Sequence, residues 1–311
     1  MNKDIIFLSP VCTHNIWGGT RLNREFGYPI EGDDIGECWG ISAHPNGDGT
    51  VASGAYQGMK LSELWEKHPE LFGNTGMDRF PLLIKIIDAK DDLSIQVHPD
   101  DAYAKVHENG SLGKTECWFI LDCKENATLV VGHNAKTKEE LEQMIHGGKW
   151  KEFIREIPIK PGDFIQIDPG TVHAIKGGTL LLETQQSSDI TYRVYDYDRL
   201  SNGKPRQLHI AQSINVITVP AKSAENSVVH TEKKDDVIQQ LIHCPYYTVY
   251  RIDVEHRVET WQDKPFVLMS VVEGEGTLNG IRLKKGDHLI LPDGYGKVEL
   301  QGRMQIIAST I

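Results

Sequence analysis

In the segment Leu93-Ser94-Ile95-Gln96-Val97-His98-Pro99-Asp100, strand alternation turns Gln96 and His98 to one face and Ile95 and Val97 to the other. That spacing aims an amide oxygen and an imidazole nitrogen into one cavity, with the aliphatic pair packing behind. A second segment, Lys114-Thr115-Glu116-Cys117-Trp118-Phe119-Ile120, sets Lys114, Glu116 and Trp118 on one face, so a carboxylate enters the core side of a strand. Burying that charge costs several kcal/mol unless a cation compensates, and a divalent metal compensates well. A third segment, Pro169-Gly170-Thr171-Val172-His173, brings in a histidine just after a proline turn. Gln96, His98, Glu116 and His173 make a four-ligand N/O set without thiolate. Such a set suits zinc in a catalytic site, or another first-row divalent ion, with room left for water or substrate. Gln96 ranks below the other three, because a neutral amide is a poor zinc ligand.

These ligands need a β scaffold, and short alternating or apolar runs bounded by Gly, Pro, Asn and Asp provide it. They include FPLLIKIIDA, LSIQVHP, ECWFILDC, ATLVVGH, DFIQIDP, TLLLETQQ, TYRVYDYD, YTVYRIDV, FVLMSVVEG and HLILPD. Helical periodicity is confined to Leu61–Phe72, to about residues 99–110 and to about 137–157, where Leu141, Met144, Ile145, Phe153 and Ile154 recur near helical spacing. Ser62 and Thr137 are the expected caps, with Pro158 and Pro161 closing the last stretch. One stretch echoes another: KPGDFIQIDP from Lys160 to Pro169, and KKGDHLILP from Lys284 to Pro292. Four residues past its proline the first copy has His173 and the second Gly296, so only one copy can bind a metal. The pattern resembles the second motif of cupins, small double-stranded β-barrels, with one extra residue between Gly and Pro in the first copy. The expected fold is mainly β: two cupin-like (jelly-roll) β-barrels in tandem with a small α-helical insertion. The catalytic barrel covers residues 1–220 and the degenerate one 221–311, with the polar segment Ile217–Asp236 as the link.

Composition narrows the partners. A chain of 311 residues, 39% hydrophobic and 25% charged, can bury one large core or two smaller ones. With 33 Lys and Arg against 44 Asp and Glu, the net charge of -11 favours neither nucleic acid nor an anionic membrane. An anionic substrate must then be captured by local cations. Five cysteines, at 12, 38, 117, 123 and 244, are odd in number and lack a CxxC pair, which argues against a disulfide framework or a structural zinc site. The opening MNKDIIFLSPV has too short an apolar run for a signal peptide, and no segment approaches the roughly 18 apolar residues of a membrane span. A cytoplasmic protein acting on a small molecule is expected; no oligomeric state follows.

Further blocks carry a closer resemblance: Ile16-Trp17-Gly18-Gly19, ECWGISAHPNG from Glu37 to Gly47, Pro81 to Lys85 followed by LSIQVHPDD, then GKTECWFI, DPGTVHAIKGG, and Ser188-Asp189 with Arg193. In order and content these resemble the type I phosphomannose isomerases (mannose-6-phosphate isomerases) in their short bacterial form, over about residues 10 to 200. The resemblance implies one zinc ion held at Gln96, His98, Glu116 and His173, a catalytic arginine at Arg193, and interconversion of mannose 6-phosphate and fructose 6-phosphate through a cis-enediol. A permanent cation at Arg193 would stand beside the enediolate oxygen. The proton shuttle has three candidates, Lys114, Glu183 and Asp189. Ser94, on the Gln96 and His98 face, and Lys85, in an apolar run, are the expected phosphate contacts, and Trp17 joins the substrate contacts. The chain departs from longer members in reading ITYRVYDYDR where they carry a RAGxTPK-like segment, and in having Thr115 for the proline of their KPE. Arg199 and Lys204 are weak stand-ins for the lysine of that lost segment.

Two other readings use the same residues. Two histidines and a carboxylate also resemble the facial triad of a non-haem iron oxygenase or another metallo-cupin. That chemistry leaves Lys85, Ser94 and Arg193 without an anionic partner. A non-catalytic sugar-binding cupin needs no cation beside C1 and C2, and so does not explain Arg193 and Lys114.

Overall fold

The structure is a computed structural model that describes residues 4–224 and 227–311. Every residue of the strand Leu82–Ala89 is buried, because a packed layer lies on each side of it. Leu82 and Ile84 face one layer and Ile87 and Ala89 the other, which is why LLIKIIDA reads as a nearly unbroken apolar run. The strand belongs to a seven-stranded antiparallel sheet ordered Val228–His230, Asp163–Ile167, Glu116–Cys123, Thr179–Gln186, Leu82–Ala89, Val11–Gly19 and Ile35–Ile41. One face packs on a five-stranded sheet ordered Tyr192–Tyr195, Ile95–Val97, His173–Ala174, Thr128–His133 and Ile154–Pro158. Trp118, Ile120, Ile165 and Leu181 from the first sheet meet Leu129 and Val131 from the second in that interior.

The other face, through Leu82, Phe119 and Phe164, packs on Leu268, Ile290 and Ile307 of a nine-stranded sheet made largely of C-terminal strands. The chain is mainly β, and among the described residues the pairing order of each sheet is open. Strands cross between the halves. Ile6–Ser9 pairs with His288–Leu291, and Val228–His230, inside the segment expected as a link, pairs with Asp163–Ile167. That link is therefore partly strand; its residues 225 and 226 lie outside the described residues.

The helices lie at Leu61–Lys67, Asp101–His107, Lys138–His146 and Trp150–Phe153, with a 3-10 turn at Pro69–Phe72. Arg21–Phe26 and Ile210–Val216 were not expected; six and seven residues are too few to display a period. Thr137 caps its helix, its hydroxyl accepting from Glu140 N at 3.2 Å. Ser62 does not: the helix has already begun at Leu61, and Ser62 Oγ donates to Asp48 at 2.5 Å. The helix expected to run to Ile157 stops at Phe153, and Ile154–Pro158 is an edge strand against Thr128–His133. Apolar spacing in so short a run fits either period, and β-branched Ile154 and Ile157 beside an open sheet edge favour the strand. Cys117, Cys123 and Cys244 are free, but Cys12 and Cys38, opposite each other in register, are bonded, correcting the expectation of a chain without disulfides. No described helix is long and apolar enough to cross a membrane.

Candidate active site

Residues directly opposite on antiparallel strands point to the same face, and two such rows look at each other across the interior. On the five-stranded sheet, Gln96 is registered with His173 on one side and Arg193 on the other. On the seven-stranded sheet the row runs Trp118, Glu183, Lys85, Trp39. His98, one residue past its strand, and Glu116, at the start of its own, close the deep end. The alternation read from the sequence accounts for this: Ile95 and Val97 pack outward under the helices, while Cys117 and Phe119 pack toward the third sheet.

At the deep end His98, Glu116 and His173 are buried, each offering a ligand atom within 4.8 Å of the others. His98 Nε2 and His173 Nε2 are 3.1 Å apart, and they lie 3.4 Å from Glu116 Oε2 and 3.3 Å from Glu116 Oε1, respectively. His173 Nδ1 sits 2.8 Å from the Thr171 carbonyl, so that nitrogen carries the proton and Nε2 presents a lone pair. Burial lowers both imidazoles, His98 to about 3 with help from Lys114, so both are neutral, as metal ligation requires. Burial also pushes the Glu116 carboxyl up, but Lys114 foremost outweighs that and holds it well below the usual carboxylate range. Lys114 Nζ is 2.7 Å from Glu116 Oε2 and 3.1 Å from His98 Nε2, so a buried ammonium adjoins both. Two neutral imidazoles converging on a buried carboxylate are a donor set that a divalent metal fits. The Gln96 amide meets His173 Nε2 at 3.3 Å and borders this set.

Above it lies a cavity of about 270 Å³ whose walls include Trp17, Lys85, Ser94, Gln96, Lys114, Glu183, Asp189 and Arg193. A larger cavity of about 430 Å³ beside Trp65 and Phe72 shares none of these residues. Lys85 does not snorkel to solvent: it is buried, with Glu37 at 3.2 Å, Glu183 at 3.5 Å and the Trp39 ring centroid at 4.8 Å. Burial pulls its ammonium down, but the two carboxylates more than offset that and raise it above the usual lysine range. Glu183 accepts the Trp118 indole N–H at 3.0 Å, and burial, aided by Glu116, pushes its carboxyl up to about 7. Asp189 sits at the mouth, 3.4 Å from His44 Nε2 and hydrogen-bonded to Asn46. Arg193 Nη1 donates to the Gln207 carbonyl at 2.8 Å, and its buried Nε has no partner among the described residues.

Glu37, Trp39 and Arg206 line the cavity as well and were not singled out from the sequence. Glu37 and Trp39 lie within the ECWGISAHPNG block, which hinted at them; nothing in GKPRQLH marks Arg206. The weak candidates are elsewhere. Arg199 is turned onto Asp196 and the Asp92 carbonyl, and Lys204 is exposed on a two-stranded hairpin.

Comparisons with known proteins bear on this geometry. The family model for the phosphomannose isomerase type I catalytic domain matches residues 5–119, which include Gln96, His98 and Glu116. The model for the mannose-6-phosphate isomerase cupin domain matches residues 237–311. The chain is 50% identical to mannose-6-phosphate isomerase ManA of Bacillus subtilis, over 99% of each chain. It is 48% identical to the mannose-6-phosphate isomerase of Streptococcus mutans, over 98% of this chain and 97% of that one. A crystal structure of the mannose 6-phosphate isomerase from Bacillus subtilis superposes with a TM-score of 0.92, at 49% identity and 99% coverage of both chains. Identity of this order, sustained from end to end on one backbone, means that the chain belongs to the type I phosphomannose isomerase family.

Proposed function

We propose that this enzyme interconverts mannose 6-phosphate and fructose 6-phosphate, moving a proton between C1 and C2 through a cis-enediol. The reading rests above all on one observation: neutral His98 and His173 converge on buried Glu116 next to Gln96 and Lys114, which line a cavity together with Glu183 and Arg193. His98, Glu116 and His173, with Gln96 as a weaker fourth, would hold one zinc ion. When bound, zinc supplies Lewis-acid stabilisation of negative charge on substrate oxygens.

The chain's own residues do the rest. Arg193, registered beside Gln96, keeps a permanent positive charge next to the oxygen that becomes anionic. Glu183, Lys114 and Asp189 are the proton-shuttle candidates. Glu183 has the environment the task requires, since a buried carboxyl near 7 can take a proton and return it at neutral pH. Ser94 offers a hydroxyl from the same face as Gln96, while Lys85 and Trp17 wall the sugar. In this reading residues 1–220 form a catalytic cupin unit with helical insertions and residues 221–311 a second, degenerate one in tandem, working in the cytoplasm. An isomerisation assay with mannose 6-phosphate, run before and after chelation and again after zinc is restored, tests the proposal. Chelator-sensitive, zinc-restored formation of fructose 6-phosphate is expected, and ketose formation indifferent to chelation would refute the metal's role.

A further inference from the structure

The cations of the cavity are not equally committed. Lys85 is held between Glu37 and Glu183, and Lys114 lies on Glu116. Asp189, the remaining carboxylate in the cavity wall, is engaged by His44 and Asn46. At the other end stand three guanidiniums and one carboxylate. Arg206 forks onto the buried Asp196, with Nε 2.7 Å from Oδ2 and Nη2 2.5 Å from Oδ1. Arg199 shares the same Asp196 Oδ1 at 2.7 Å. Among the described residues Arg193 has one backbone carbonyl on Nη1, and its buried Nε has no partner. Asp92 gives Arg199 its carbonyl, and its carboxylate accepts the Gly177 N–H.

Among the described residues Asp196 is the one carboxylate ion-paired to these three guanidiniums, and of the three Arg193 and Arg206 line the cavity. A phosphate monoester carries about −1.5 to −2 at pH 7 and offers three acceptor oxygens to planar guanidinium donors. The register of Tyr195 against Ile95 carries Asp196 toward Ser94, the hydroxyl-bearing end of the cavity and the end away from His98. We infer that Arg206, positioned by Asp196 beside Arg193, binds the phosphoryl group of the sugar phosphate and sets the preference for phosphorylated over free hexose. Of the two candidates the sequence had suggested, Arg199 is turned onto Asp196 and the Asp92 carbonyl, and Lys204 does not line the cavity. The inference rests on the isomerase reading for its substrate, but not for its chemistry.

The test compares the parent enzyme with R206A and R206K. Steady-state kinetics use mannose 6-phosphate with inorganic phosphate as competitor, and calorimetry measures inorganic phosphate binding independently of turnover. Losing a charge-assisted hydrogen-bonding partner should raise KM and the phosphate inhibition constant together by roughly 10- to 100-fold in R206A, with kcat changed far less. R206K should recover part of the loss, because it keeps the charge but not the fork. KM and phosphate affinity within about twofold of the parent, or a fall in kcat at unchanged KM, would overturn the assignment. If the parent binds phosphate through Arg206 yet forms no ketose, the isomerase reading falls while the phosphate assignment stands.

Discussion

The strands Asp163–Ile167 and His288–Leu291 begin alike. Gly162 and Gly286 turn with φ of 89° and 94°, and the aspartate that follows each accepts a backbone N–H from three residues upstream, Lys160 N at 3.0 Å and Lys284 N at 2.8 Å. Beyond the strands the two regions diverge. The first delivers His173, which has one ring nitrogen on a carbonyl and the other open toward His98 and Glu116. The second holds His288, whose Nε2 meets Tyr28 Oη at 2.7 Å and whose Nδ1 meets Ser270 Oγ at 2.8 Å. On the opposite face of the His288 strand, Leu289 and Leu291 pack with Leu278, Leu283, Val298 and Leu300. One turn-and-strand frame thus serves two ends, and the groups its histidine meets decide which: metal-type ligands for His173, hydroxyls for His288.

The largest expected effect separates the two histidines. H98A or H173A should lose bound metal and drop turnover by more than the roughly 10²–10³-fold that loss of one oxyanion donor costs, whereas H288A should keep its metal. Elemental analysis alongside the isomerase assay checks both, and metal loss in H288A would erase the distinction between the regions. R193A sharpens the first region: metal content stays, and kcat falls by roughly 10²–10³-fold.

The third effect belongs to the second region. Burial lowers the His288 imidazole to about 4, so between about pH 6.5 and 4 the unfolded chain binds the proton more readily than the folded one. Stability present above pH 6.5 is therefore lost as pH falls, by about 3 kcal/mol at pH 4 from this residue. Denaturant titrations across that range should show a shallower decline for H288Q than for the parent; parallel curves would count against it. The smallest effect is steric. A Cβ on Gly40 would meet the His288 ring at 2.2 Å, so G40A should lower stability by about 1–3 kcal/mol, read as a fall in Tm.

The metal-type ligands were legible because alternation at Gln96 and His98 and the position of His173 after its turn are local properties. The same holds for Glu116 and Lys114. Glu37, Trp39 and Arg206 were not legible, because they reach the cavity through register across neighbouring strands and through the Asp196 ion pair, neither of which leaves a spacing in the chain. Lys85 was half legible: its oddness in an apolar run was plain, but its partners Glu37 and Glu183 lie on other strands. The β class followed from turn residues and alternation, while the edge strand Ile154–Pro158 and the Cys12–Cys38 bond depend on which segments end up adjacent.

The pairing of Ile6–Ser9 with His288–Leu291 constrains how the molecule can be made. Ile6–Ser9 is synthesised long before His288–Leu291, so that edge waits unpaired while everything between them is made, a condition that invites aggregation. Residues 1–220 expressed alone would leave one edge of that strand unpaired, with Thr50–Val51 on its other edge, and strip the cover from Leu82, Phe119 and Phe164. The gene is therefore expected to tolerate neither splitting nor truncation at its apparent midpoint, however much the two halves look like separate modules.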